Sequence, residues 1–158
     1  MKLPRRNSQI LQRIQNSEDV REISFLKAAY CAGCDDDHNG DTVAALFLPT
    51  GVWATSISGE HCGHDAIRAF FRSVRDSKRM KYSTHMVTNE VITVSGDTAN
   101  ASWSFTMMYT SPDEKRYRIL GFYRDTFVRT SSGWRFASLY SDVQDYAILE
   151  TQTFRHTS

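Results

Sequence analysis

THMVTNEVITV (84–94), TANASWSFTMMYT (98–110), YRILGFYRDTFVRT (117–130) and GWRFASLYSDVQDY (133–146) fill most of the C-terminal half of this chain. In these segments β-branched and aromatic residues recur with a period of two, the pattern of half-buried strands. The connections are SGD at 95–97, SPDEK at 111–115 and SSG at 131–133, each short and rich in hairpin formers. Links this short make consecutive strands antiparallel neighbours. Strands of this length twist and cannot remain flat, so the sheet is expected to curl.

Ahead of the sheet the period changes to that of a helix. From Ser17 to Asp35, the residues Val20, Ile23, Leu26 and Tyr30 form one stripe, and Ser17 is a suitable N-cap. The run CDDDHNGD (34–41) breaks it with turn formers. A second, short helix is expected from about Asp41, carrying Val43, Leu46 and Phe47 inward and ending before Pro49. GVWATSIS (51–58) reads as a strand. His64 to Val74 reads as a third helix with Ile67, Phe70, Phe71 and Val74 on one face. Helices wrapped by a curled sheet bury both sets of apolar faces. The expected class is therefore α+β, a cone-shaped α+β barrel with N-terminal helices packed on a curved, mostly antiparallel sheet. Its concave side is a usual place for a small-molecule pocket. Residues 17–146 form the domain in this reading, with an extension at 1–16 and a tail at 147–158.

The 158 residues suit one domain, and 41% apolar with 12% aromatic residues supply a core. Nineteen basic and eighteen acidic residues nearly cancel, so no strong field invites a nucleic acid. No apolar run has the length of a secretory signal core or a membrane span. Cys31, Cys34 and Cys62 are too few, and odd in number, for a disulfide framework; a reducing, cytoplasmic setting is the simple expectation. Cys31-x-x-Cys34 with His38, and His61-Cys62-x-His64, offer zinc-type donors. The first pair falls inside an amphipathic helix, however, so buried apolar thiols are the favoured reading and no metal is expected.

The order of the pieces carries a resemblance. LKAAYCAGCDDDHNGDTVAALFLPTGVWATSISGEHCGHDAIRAFF (26–71) is followed by HMVTN, VSGDTANASWSF, GFYRDTFVRT and SGWRF. Over about residues 18–145 this resembles the SnoaL-like branch of the nuclear transport factor 2-like superfamily. That superfamily holds scytalone dehydratase, hexachlorocyclohexane dehydrochlorinase and bile acid dehydratase type members beside non-catalytic binding modules. The resemblance implies cofactor-free lyase, isomerase or cyclase chemistry on a small, largely apolar metabolite such as a polyketide, steroid or terpenoid intermediate.

It also implies a catalytic pair, His85 with Asp36. Three consecutive aspartates, Asp35, Asp36 and Asp37, leave Asp35 as the alternative partner. The chemistry of the pair stands by itself. Imidazole titrates near neutrality and can take a proton from carbon, and a carboxylate on its far nitrogen fixes the tautomer. Tyr30, Trp53, Arg129 and Tyr123 are the candidate substrate-binding residues. Arg129 comes from the resemblance, as a holder of departing negative charge; which face of its strand points inward stays open. One face of 102–107 is strongly apolar, through Trp103, Phe105 and Met107. That face lines either the cavity or a partner, and a homodimer through sheet surfaces, or a higher homo-oligomer, is the expected assembly.

Overall fold

The computed structural model describes residues 5–149. Three helices, α1 (Arg5–Asp35), α2 (Gly40–Ala45) and α3 (Gly63–Asp76), accompany six strands. The strands are β1 (Phe47–Thr55), β2 (Gly59–Cys62), β3 (Tyr82–Ser95), β4 (Thr98–Thr110), β5 (Arg116–Thr130) and β6 (Gly133–Leu149). They form one sheet in the order β2-β1-β6-β5-β4-β3. Every neighbouring pair is antiparallel except β1 with β6, which are parallel. The class is the expected one, helices on a curved and mostly antiparallel sheet.

Register breaks supply the curvature. They fall between Thr88 and Val91 in β3, and in the β5–β6 ladder at Leu120/Gly121 and Thr126/Phe127, where β6 carries the extra residue. An extra residue on one strand bends it and raises the local twist. Asn89 takes φ 55° at the first break, a conformation asparagine tolerates better than most residues. At the second break only glycine fits, because a Cβ on Gly121 would lie 2.1 Å from the Asp142 carbonyl oxygen. The concave face carries Trp103, Phe105, Met107, Tyr123, Phe127, Phe136 and Leu139, all buried against Ile23, Tyr30, Ile67 and Phe71 of the helices. Trp103, Phe105 and Met107 therefore face the interior.

Four boundaries differ from the sequence reading. The first helix starts at Arg5, so most of the expected extension is helical. Gln, Arg, Leu and Ile are adequate helix formers, and neither Gly nor Pro interrupts residues 5–32. Ser17 is consequently interior, its hydroxyl donating to the Arg13 carbonyl. Asn39 caps α2, its Oδ1 accepting from the Thr42 amide at 3.1 Å. Phe47 opens β1, and Pro49 lies in the irregular stretch between Phe47 and Val52, where its missing N–H removes no ladder bond. Gly59–Cys62, ahead of the third helix, is a short strand paired with β1. At the other end β6 continues through Ala147–Leu149 opposite Arg116–Arg118. The rest of the expected tail, 150–158, lies outside the described residues. Among the described residues no helix is long and apolar enough to cross a membrane.

Candidate active site

The end of α1 meets the start of β3. Asp35, the last residue of α1, uses both carboxylate oxygens on the strand. Its Oδ1 stands 2.6 Å from His85 Nδ1 and accepts from the Ser83 hydroxyl at 3.1 Å; its Oδ2 accepts from the His85 amide at 2.8 Å. Three contacts from one strand fix the carboxylate relative to the ring. Partial burial works to raise the Asp35 carboxyl, but the hydrogen bonds from the His85 ring and amide and from Ser83 outweigh it and hold the group below the usual carboxylate range. With Nδ1 engaged, Nε2 has no hydrogen-bond partner among the described residues. The His85 side chain is 9% exposed, and that of Asp35 26%.

Asp36 is not brought to His85. Its carboxylate accepts from the Asn39 side chain at 3.0 Å, in the exposed turn between α1 and α2. The end of the helix explains the choice: α1 stops at Asp35, and Asp36 and Asp37 follow in the turn, Asp37 with φ 49°, so only Asp35 keeps the helical direction toward β3.

A cleft of about 370 Å3 opens beside the pair, lined by Asp35, Asp37, His38, Met80, Lys81, Tyr82 and Ser83. His38 is 8% exposed and takes φ 53° in the turn after α1. Burial first, and the proximity of His85 second, push its imidazole below the ordinary histidine value, which favours the neutral ring. Sequence reasoning considered His38 only as a zinc donor; its place in the same turn as the aspartates was the available signal.

The other expected residues sit deeper or elsewhere. The Trp53 indole donates to the Tyr30 hydroxyl at 2.9 Å, both residues being buried. Trp53 packs on Phe70 and Phe71, and Tyr30 meets Tyr123 and Phe136 edge-on. These are walls of the interior, next to the helix end that carries Asp35. Arg129 is not brought to the pair. It grips Asp19 of α1 with two 2.7 Å bonds, reaches Asp97 at 3.1 Å, and lies over the Trp134 ring. His85 registers with Met107, and Met107 with Ile119, far along β5 from Arg129.

One interior feature escaped the sequence reading. Lys27 is wholly buried and donates to Asp125 Oδ2 at 2.9 Å. Its ammonium lies 3.2 Å from the Tyr123 ring centroid and 4.9 Å from those of Tyr30 and Trp103. Burial lowers the Lys27 ammonium and pushes the Asp125 carboxyl up to about 6. A lysine on the Ile23–Tyr30 side of the stripe was the signal, since it occupies an inward position. Cys31 and Cys34 are buried, Cys62 is exposed, and all three are free.

Solved structures share the overall fold. A structure from Novosphingobium aromaticivorans, assigned as an aromatic ring hydroxylase, is 27% identical with a TM-score of 0.76, covering 84% of this chain and 94% of its own. A protein from the same organism assigned as a scytalone dehydratase is 20% identical with a TM-score of 0.76, covering 87% and 91%. A type 2 hexachlorocyclohexane dehydrochlorinase is 17% identical with a TM-score of 0.76, covering 93% and 97%. The last two show a shared fold. No curated protein matches. The SnoaL-like domain model matches residues 15–140, and the chain, with its helices on a curved six-stranded sheet, belongs to the SnoaL-like domain family.

Proposed function

We propose that the protein is a cofactor-free lyase or isomerase in which His85 is the general base and Asp35 its orienting carboxylate. The observation that carries this reading is the Asp35–His85 contact, which commits Nδ1 and leaves Nε2 open. Neutral His85 takes a proton from a carbon made acidic by a neighbouring carbonyl or leaving group. In an elimination the C–H electron pair forms the new double bond as the leaving group departs; in an isomerisation it forms the double bond of a dienolate, and the imidazolium of His85 returns the proton to another carbon. Asp35 stabilises the imidazolium that forms. His38 lines the same cleft and can donate a hydrogen bond to the departing group. Positioned acid–base catalysis of this kind is worth about 10²- to 10⁴-fold.

The surroundings support the substrate class proposed. Met80 and Tyr82 give the cleft an apolar side, and Asp37 and His38 a polar one, which suits a small, largely apolar ring bearing a hydroxyl, carbonyl or halogen. Scytalone dehydratase and hexachlorocyclohexane dehydrochlorinase, whose names describe eliminations from cyclic molecules, share the fold. Polyketide, steroid and terpenoid intermediates are the first compounds to test, and the free thiols suit a reducing compartment such as the cytoplasm. Incubation with a panel of hydroxylated and halogenated cyclic compounds, read by mass spectrometry, should give a product lighter by the leaving group or an isomer of new retention. His85→Gln should lose that product while remaining folded. Full turnover by His85→Gln would overturn the role of His85 as the base, whereas a bound compound recovered without chemical change would identify a ligand-binding module.

A further inference from the structure

α1 has a second face that the fold does not use. Its inward side presents Asp19, Ile23, Lys27 and Tyr30 to the sheet. Nearly opposite, at about 100° per residue, lie Leu11, Ile14, Glu18, Arg21, Phe25 and Ala28, all exposed. Their spacing alternates three and four residues, a seven-residue repeat with Leu11, Glu18 and Phe25 at one core position and Ile14, Arg21 and Ala28 at the other. The large apolar members are open to solvent: Leu11 is 54% exposed, Ile14 49% and Phe25 60%. A shallow groove of about 430 Å3 runs along this side between Ile14, Glu18 and Arg21. Among the described residues neither Glu18 nor Arg21 has an ion-pair partner; Arg21 lies over the Phe25 ring at 5.2 Å.

We propose that this stripe is a self-association surface, on which α1 of one protomer packs antiparallel against α1 of a second copy. The occupant is set by the order of the charges. In an antiparallel pair with its two-fold axis level with residues 19 and 20, Leu11 faces Ala28 of the partner subunit. Ile14 faces Phe25 of the partner subunit, and Glu18 faces Arg21 of the partner subunit. The two-fold repeats each contact. Opposite charges meet twice at the centre, flanked by apolar layers. Parallel pairing in register would set Glu18 against its own copy and Arg21 against its own copy, so the charges select the antiparallel arrangement as well as the register. The stripe points away from the sheet, so two domains can join there without displacing the core. The solvent-facing N-terminal turns of α1, which touch none of the sheet's core, acquire a packing role in this arrangement. One helix pair is a small contact, and a weak, reversible dimer is the expected result.

The test uses the full chain in sedimentation equilibrium over roughly 1–300 µM, a range suited to a contact of this size. The mass should rise with concentration. Glu18→Arg alone and Arg21→Glu alone each create like-charge contacts and should weaken association on the order of tenfold or more, whereas the double reversal should restore it. All three carry solvent-facing changes, so circular dichroism should stay native. Oxidation gives the orientation: in a Cys62→Ser background, Ile14→Cys combined with Phe25→Cys should cross-link. Ile14→Cys alone should not, because antiparallel packing holds the two copies of that position about 16 Å apart along the axis. A mass that does not vary with concentration, as when residues 150–158 or another partner covers the stripe, overturns the proposal. So does association through a different surface, seen as indifference to the charge reversals, and so does cross-linking by the single variant.

Discussion

Asp35 holds His85 at two points, the ring through Oδ1 at 2.6 Å and the backbone amide through Oδ2 at 2.8 Å. The amide contact ties the carboxylate to the strand itself, so the orientation of the imidazole does not depend on one flexible hydrogen bond. Asp36, one residue away, bonds only within its own turn. Neighbouring, chemically identical groups thus have separable roles. His85→Gln is expected to lower turnover by about 10²- to 10⁴-fold. Asp35→Asn is expected to fall in the same range, because the amide can present an N–H to Nδ1 and stabilise the wrong tautomer. Asp36→Asn should stay within a few-fold of the parent. Steady-state rates on any compound that the parent converts, with 15N shifts of the His85 ring as a tautomer report, decide this; equal losses in the two aspartate variants would break the assignment.

The pH dependence of stability gives an independent check on Asp35. Its carboxyl is held below the usual 3.8 in the folded protein. An acid of lowered folded pKa contributes stability that is fully present above its unfolded value and is lost as pH falls through the folded one. The Asp35 contribution should therefore be constant above about pH 4 to 5 and decline below pH 3.8. Urea midpoints between pH 2.5 and 6 should fall less steeply in Asp35→Asn than in the parent at the acid end. Parallel curves would mean that the contact with His85 adds nothing to the folded state.

The sheet was legible from its alternation and turn chemistry, and the helical stripe correctly led to Ile23 and Tyr30. Periodicity reports faces, however, and not ends. Residues 5–16 carry ordinary helix formers without an inward stripe; the spacing that links Leu11 and Ile14 to Phe25 lies on the solvent-facing side, so a search for core-facing positions passes over it. The choice among Asp35, Asp36 and Asp37 depends on the residue at which α1 ends, and helix ends are what periodicity does not fix. Arg129 was placed by likeness; its actual partner, Asp19, lies 110 residues away in sequence, a pairing that no local pattern reveals. The parallel β1–β6 contact, through which the strand bearing Trp53 joins the sheet, is long-range in the same way.

Gly121 provides a test of the curvature. A Cβ there would stand 2.1 Å from the Asp142 carbonyl oxygen and 2.6 Å from the Phe105 ring. Backbone on the neighbouring strand cannot retreat without opening the β5–β6 ladder at its bulge. Gly121→Ala should therefore destabilise by about 1–3 kcal/mol, despite the gain that alanine normally makes by restricting the unfolded chain. Thermal or urea unfolding measures it, and a stabilised Gly121→Ala would show that the two strands are further apart than described.

The interior ion pair makes the sharpest energetic prediction. Lys27 and Asp125 are 0% and 2% exposed, and Asp125 Oδ1 has no hydrogen-bond partner among the described residues. Two desolvated charges at 2.9 Å offset one another's burial cost, and the Tyr123 face adds a cation–π contact on the other side of the ammonium. Removing one charge strands the other. Lys27→Met should cost about 3–5 kcal/mol, because Asp125 would then be left buried without its cation. The carboxyl should respond by staying protonated to higher pH, so Lys27→Met should recover part of its loss below pH 6. Lys27→Met with Asp125→Leu removes both charges and should be markedly more stable than either single variant, to the level of the parent or beyond it. A double-mutant cycle by urea unfolding at pH 7 supplies all four stabilities. Additive losses would mean that the two groups do not sense each other, in which case the closeness of the ammonium and the carboxylate carries no coupling.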